Sequence, residues 1–202
     1  MPLLCSVTNY QFKLILKQVI MKSLKEVTIE IITSASKEKV WDLLFNRFGE
    51  VNVFNPIIDG SHHTKGTPGE VGCERFCAID SKTSVHEKIV AARGDDAFDI
   101  EIIEGGLPMM DKMGGTFELE ALEPNKTRVT FIMKFNTKPA FMAFLMKGMM
   151  RKMLFKMLIG LKYHLETGNL VTKENISGII KEHKKLSTND SFKDNLEVSF
   201  AA

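Results

Sequence analysis

The sequence predicts an α+β fold in which one antiparallel sheet is covered by one long helix. Three observations carry this. Residues 27–48 read as a strand followed by a helix, six segments with strand-like patterning follow between residues 57 and 137, and a long apolar helical stretch runs from Pro139 to about Glu166. Strands that follow one another through short turns pair antiparallel, because a parallel pair needs a long crossover.

The first strand is "VTIEII", where Val27, Ile29 and Ile31 alternate with Thr28 and Glu30, the pattern of a half-buried strand. "TSAS" then offers N-cap residues. "KEKVWDLLFNRF" follows with Trp41, Leu44, Phe45 and Phe48 at helical spacing, giving one aromatic face. Gly49 and Pro56 close this region, with room for a second short helix around Glu50–Phe54. The next strands are expected at Ile57–Thr64, Val71–Ile79, Ser84–Ala92, Phe98–Glu104, Gly115–Leu122 and Thr127–Thr137. The turn signals between them are "KGTPGE", "DSK", "RGDD", the longer "GGLPMMDKM" and "EPNK". A sheet with one apolar face must be covered, and the final helix is the longest apolar element available.

That helix contains "FMAFLMKGMMRKMLFKMLIGL", which holds six of the 12 methionines and four basic residues. Projected at about 100° per residue, Met142, Met146, Met149, Met150, Met153, Met157, Leu161 and His164 form one stripe. Lys147, Arg151, Lys152, Lys156 and Lys162 lie broadly opposite, interleaved with Phe141, Phe144, Phe155 and Ile159. The methionine stripe suits the sheet side, either as ordinary core or as the lining of a pocket that adapts to its guest. The phenylalanines on the other side are expected under a sheet edge or the N-terminal segment; contact with a membrane surface or partner is the alternative. The four basic residues disfavour a spanning helix.

A chain of 202 residues suits one domain with a substantial core. Residues 1–22 read as an N-terminal extension, either a surface helix at "FKLILKQVI" or sequence upstream of a true start at Met21. The domain is expected at residues 23–168. Residues 169–202 read as a polar tail, helical in part at "KENISGIIKEHKKL" or disordered. Net charge is +2 but uneven: residues 26–138 carry 13 basic against 19 acidic side chains, while residues 1–25 carry four lysines and no acid. This is not a nucleic-acid footprint, which needs a basic domain. Cys5, Cys73 and Cys77 lack metal-type spacing and read as reduced thiols. With no signal-like start in "MPLLCSVTNY", the expected location is cytoplasmic.

The order of elements and several local stretches resemble the SRPBCC superfamily (START-like, Bet v 1-like), in particular its polyketide cyclase/dehydrase-like branch. The stretches are "VTIEIITSASKEKVWDLL", "FNPII", "HEKIVAARGDDAFDIEI", "TRVTFIMKF" and "GLKYHLETG", spanning about Leu24 to Gly168. The resemblance implies a helix-grip fold, in which a curved seven-stranded sheet (β-αα-β6-α) wraps the C-terminal helix and leaves an apolar cavity. It also implies a hydrophobic small-molecule ligand of lipid, sterol or polyketide type, with catalysis in a minority of members.

Within the strands at 71–79 and 84–92, a three-residue connection at Asp80–Lys82 sets Arg75 opposite Glu87 and Cys77 opposite Val85. The opposite charges then sit among apolar neighbours, either as a structural pair or as the group that orients a ligand's polar end. Candidate cavity-lining residues are Trp41, Phe54, Arg75, Glu87, Phe98, Phe117, Phe131, Met133, Met146, Met150 and Met153. His62 and His63 point to opposite faces of a strand, and His86, His164 and His183 are not at ligand spacing, so neither metal nor cofactor is expected. No nucleophile elbow or triad is visible, which leaves Glu87 and His86 as the weak acid/base candidates.

The expected function is binding of a hydrophobic small molecule, without nucleic acid and without a transmembrane segment. One alternative is a cyclase-, aromatase- or dehydratase-type enzyme using Glu87 or His86. The other is a co-chaperone-like interaction module using the basic helix face.

Overall fold

The computed structural model describes residues 24–107 and 109–189, and the N-terminal extension expected at residues 1–22 lies outside them. Strand β1 spans Lys25–Thr33 and buries Val27, Ile29 and Ile31, as its alternation requires. Helix α1, Lys37–Trp41, begins at Ser36, whose hydroxyl accepts from the Lys39 amide and satisfies one orphan donor. The chain continues through a wide turn at Asp42–Asn46 and a tight one at Phe48–Val53, burying Leu43, Leu44, Phe45, Phe48 and Val51. Strands β2 (Gly60–Lys65), β3 (Glu74–Ala78), β4 (Ser84–Arg93), β5 (Ala97–Gly105), β6 (Met110–Glu123) and β7 (Lys126–Thr137) follow. Helix α2 is Met142–Thr167 and α3 is Ile176–Asn189.

All pairings are antiparallel and the sheet order is β1-β7-β6-β5-β4-β3-β2. The meander from β2 to β7 is thus extended by β1, and α2 packs along β1 and β7. This is the helix-grip architecture.

Three stretches depart from the expected boundaries. Ile57 and Ile58 lie before β2, and β3 begins only at Glu74, because Gly72 adopts a left-handed φ of 102° and turns Val71 out to solvent. Strand β6 starts at Met110, so the last four residues of "GGLPMMDKM" belong to it, with Met110 opposite Thr137 and Met113 opposite Phe135. Gly115, expected as the first residue of this strand, lies in its interior together with Gly114. A Cβ on Gly115 would stand 2.3 Å from Phe131 Cζ, so the glycine makes room for that ring.

The buried face of α2 consists of Ala143, Met146, Met150, Leu154, Met157, Leu158, Leu161 and Leu165. It is rotated by roughly 60° from the expected methionine stripe, so Met149 is exposed and leucines take half the contact. Ile159 is buried as well, whereas Phe141 and Phe144 stand in solvent, uncovered by any described sheet edge. The chain after Gly168 returns to the domain. Val171 donates its amide to the Val53 carbonyl at 3.0 Å, and Val171, Ile176 and Ile179 join the core.

Two contacts fix the C-terminal half of α2. Gly160 lies against the loop after α1, where a Cβ would meet the Phe54 carbonyl oxygen at 2.1 Å. Glu166 Oε1 accepts from the Ser34 amide and from Lys162 Nζ, each at 2.7 Å, and Lys162 Nζ also reaches the Ile32 carbonyl at 2.8 Å. Burial pushes the Glu166 carboxyl up, but Lys162, the Ser34 amide and Thr33 outweigh it and hold the carboxyl below its ordinary value.

Gly160→Ala should therefore lower stability by about 1–3 kcal/mol in urea unfolding, although alanine is the better helix former by about 1 kcal/mol; a more stable variant would contradict the close packing. Glu166→Gln should cost about 1–2 kcal/mol at pH 7. A depressed folded pKa contributes stability above the unfolded carboxyl value, and that stability is lost as pH falls through the folded one. The gap between wild type and variant should therefore close below about pH 4 in pH-dependent unfolding.

Candidate functional site

The β3–β4 hairpin closes through Asp80, whose Oδ1 accepts from the amides of Lys82 and Thr83. That turn sets the register of Arg75 opposite Glu87 and Cys77 opposite Val85. Both charged side chains point to the concave side of the sheet. Arg75 is 6% exposed, and its guanidinium lies 3.8 Å from the centroid of the Phe48 ring. Nη1 donates to the Phe48 carbonyl at 2.8 Å, Nε donates to Glu87 Oε2 at 2.6 Å, and Nη2 lies 2.5 Å from the same oxygen. The Cys77 thiol also approaches Oε2, at 3.7 Å. The Arg75 Nε and Nη2 contacts and the Cys77 contact all converge on Glu87 Oε2; among the described residues no hydrogen bond reaches Oε1.

Beside this pair lies a cavity of about 100 Å³. Its walls are Leu44, Val51, Phe54, Ile57 and Ile58 from the segment between β1 and β2, and Ile79, Val85, Ile100, Ile102, Leu107, Met113, Gly114, Phe117, Phe131 and Met133 from the strands and their connections. Helix α2 closes it with Met150, Met153, Leu154 and Met157. The polar groups are Arg75, Glu87 and Asn55. Asn55 Oδ1 is held by the Ile57 amide at 3.1 Å, which leaves its side-chain N–H groups for the cavity.

Eight of the expected lining residues meet here: Phe54, Arg75, Glu87, Phe117, Phe131, Met133, Met150 and Met153. Trp41, Phe98 and Met146 do not line it. Trp41 stacks on Phe45 at 4.3 Å, and both meet the edge or face of Phe98, which in turn stacks on Phe117. The aromatic row therefore runs from α1 to the cavity wall, and only Phe117 and Phe131 at its end touch the space. Met146 is buried one turn before Met150, beyond the cavity. Asn55, Ile57 and Ile58 were not anticipated; the Asn-Pro pair at 55–56 was the available signal, since an asparagine there closes a local turn with its own side chain.

His86 is corrected as an acid/base candidate. Its neighbour Glu87 takes the concave face, so His86 takes the other, where its ring packs against Phe76 at 5.1 Å. Burial pushes the Cys77 thiol up to about 11, with Arg75 opposing and Glu87 reinforcing the shift. Cys77 is thus a neutral thiol near pH 7, unsuited to nucleophilic attack. Among the described residues no group of histidines, cysteines or carboxylates is arranged to hold a metal ion. No described helix is long and apolar enough to cross a membrane.

The fold recurs in solved structures. A protein from Thermobifida fusca aligns with a TM-score of 0.59 at 16% identity, over 70% of this chain and 95% of its own. XoxI from Bacillus cereus aligns with a TM-score of 0.55 at 18% identity, over 69% and 94%. A START superfamily protein from Mycobacterium smegmatis aligns with a TM-score of 0.54 at 16% identity, over 69% and 98%. No curated protein matches the sequence. The family described as "Polyketide cyclase / dehydrase and lipid transport" matches residues 25–166, from the start of β1 to the end of α2. The chain therefore belongs to that family, within the SRPBCC superfamily and its helix-grip fold.

Proposed function

We propose that the protein binds a small hydrophobic molecule that carries a neutral hydroxyl group, with the hydroxyl at Glu87 and Asn55 and the apolar body against Phe117, Phe131 and the methionines of α2. The observation that carries this is the state of the buried pair. Glu87 neutralises Arg75, so the cavity offers no net positive charge to an anion, while Glu87 Oε1 accepts no hydrogen bond from the described residues and Asn55 retains donor capacity. A hydroxyl supplies one donor and accepts in turn, and so satisfies both groups. Apolar walls with a few placed polar groups are the usual composition of a small-molecule site.

Size sets a second limit. A cavity of roughly 150 Å³ accommodates benzene in a well-studied case, so a space of about 100 Å³ takes a single ring only once its lining side chains yield a little. Larger lipid, sterol or polyketide guests require Met150, Met153 and Met157 to change rotamer, which unbranched thioether side chains do at low cost. The enzymatic alternative now has one acid/base candidate, Glu87, since His86 faces away.

Calorimetry with 4-ethylphenol, ethylbenzene and 4-ethylbenzoate tests the proposal, together with native mass spectrometry of the isolated protein before and after solvent extraction. The phenol should bind tightest and the carboxylate weakest. Glu87→Gln should weaken the phenol by about tenfold and leave ethylbenzene nearly unchanged, while Met153→Trp should block all three in a protein that still unfolds cooperatively. Equal affinity for phenol and carboxylate would refute the neutral-hydroxyl assignment. Turnover lost in Glu87→Gln with binding retained would replace the binder with an enzyme.

A further inference from the structure

The first two turns of α2 carry an apolar surface that no described residue covers. Phe141 is 70% exposed, Phe144 79%, Leu145 64% and Met149 45%. They lie on the side of the helix opposite Met146 and Met150, which face the core. The surface continues onto the β5–β6 connection, because the Met109 carbonyl accepts from the Lys138 amide at 3.0 Å and Met109 is also exposed. Single exposed apolar side chains are ordinary, but a contiguous group of five is not.

The charges around this patch have one sign. From Lys138 to Leu165 the sequence holds six lysines or arginines and no acidic residue. Lys147, Lys152 and Lys156 are exposed, and Lys152 and Lys156 continue the same outward face one and two turns beyond Met149. Lys138 is paired with Asp111 at 2.6 Å, yet its side chain is 78% exposed. Helix α2 also begins without an acidic residue in its first turn and, among the described residues, without a side-chain cap at its positive end.

We infer that this end of the molecule is a docking surface for an anionic phospholipid bilayer, with Phe141, Phe144, Leu145 and Met149 entering the interface and Lys147, Lys152 and Lys156 facing lipid phosphates. Charge decides between the possible occupants. Residues 1–23 precede β1, whose first residue Lys25 stands opposite Phe135. They carry Lys13, Lys17 and Lys22 with no acid, and laying them over this patch would set like charges together. A second copy in a two-fold arrangement meets the same repulsion. A negatively charged lipid surface complements both basic segments, and apolar side chains flanked by lysines are the composition of interfacial helices. The inference stands on the outer surface alone and does not depend on what the cavity holds.

Co-sedimentation of the full chain with phosphatidylcholine vesicles, and with vesicles containing about 30% phosphatidylserine, tests it at low and at about 0.5 M salt. Binding is expected only to the anionic vesicles and should be released by salt. The Phe141→Ser/Phe144→Ser and Lys147→Glu/Lys152→Glu variants should each reduce it about tenfold or more, with unfolding midpoints and 4-ethylphenol binding unchanged. No sedimentation with anionic vesicles would overturn the inference, as would a Phe141→Ser/Phe144→Ser variant that sediments like wild type. A wild-type dimer in analytical ultracentrifugation that the same variant dissociates, without vesicle binding, would assign the patch to a second copy instead.

Discussion

Strands β1 and β3 to β7 turn most of their apolar side chains to one concave face, and α2 is the longest element that keeps water off that face. The buried residues of the strands, such as Ile29, Ile89, Phe98 and Val129, share one core with α2 and with the segment from α1 to Phe54, whose Trp41 and Phe45 meet Phe98. Burial of this kind is worth about 25 cal/mol per Å² of apolar surface, so the sheet and the helix stand or fall together. The rest of the structure follows from how α2 is seated.

The seating is uneven along the helix. Its C-terminal half is clamped: Gly160 abuts the Phe54 carbonyl, Glu166 and Lys162 tie it to the end of β1, and Lys39 Nζ caps the Leu165 carbonyl at 2.6 Å. Val171, Ile176 and Ile179 add cover from the returning chain. The N-terminal half has none of these fastenings. It meets the sheet through methionines, and it leaves the cavity between Met150, Met153 and the strands. Close packing at one end and incomplete packing at the other coexist because a straight helix cannot follow a curved sheet along its whole length.

The buried Arg75–Glu87 pair is a second departure from an apolar core. Burying either charge alone would cost several kcal/mol, so each is tolerated because of the other. The aromatic contact with Phe48 and the bond to its carbonyl hold the guanidinium still, so the polar edge of the cavity that remains is Glu87 and Asn55. Cys77, next to the pair, is kept protonated by the same desolvation that makes the pair costly.

Much of this was legible beforehand. Alternation marked the strands, helical spacing marked α1 and α2, and a three-residue turn was enough to place Arg75 against Glu87. These are local patterns, in which period and turn length dictate which residues share a face. What failed were the contacts that depend on distant partners. "GGLPMMDKM" read as a connection although its last four residues belong to β6, and His86 was separable from Glu87 only once the sheet had a concave side. The methionine stripe was centred on composition, whereas the sheet's curvature selected a face rotated toward Leu154, Leu158 and Leu165. The sequence by itself therefore determined the elements, their order and the charged pair across the hairpin. Tertiary structure decided which side of α2 lies inside, that Trp41 and Phe98 stop short of the cavity, and that Phe141 and Phe144 face solvent, because exposure depends on where the other layer ends.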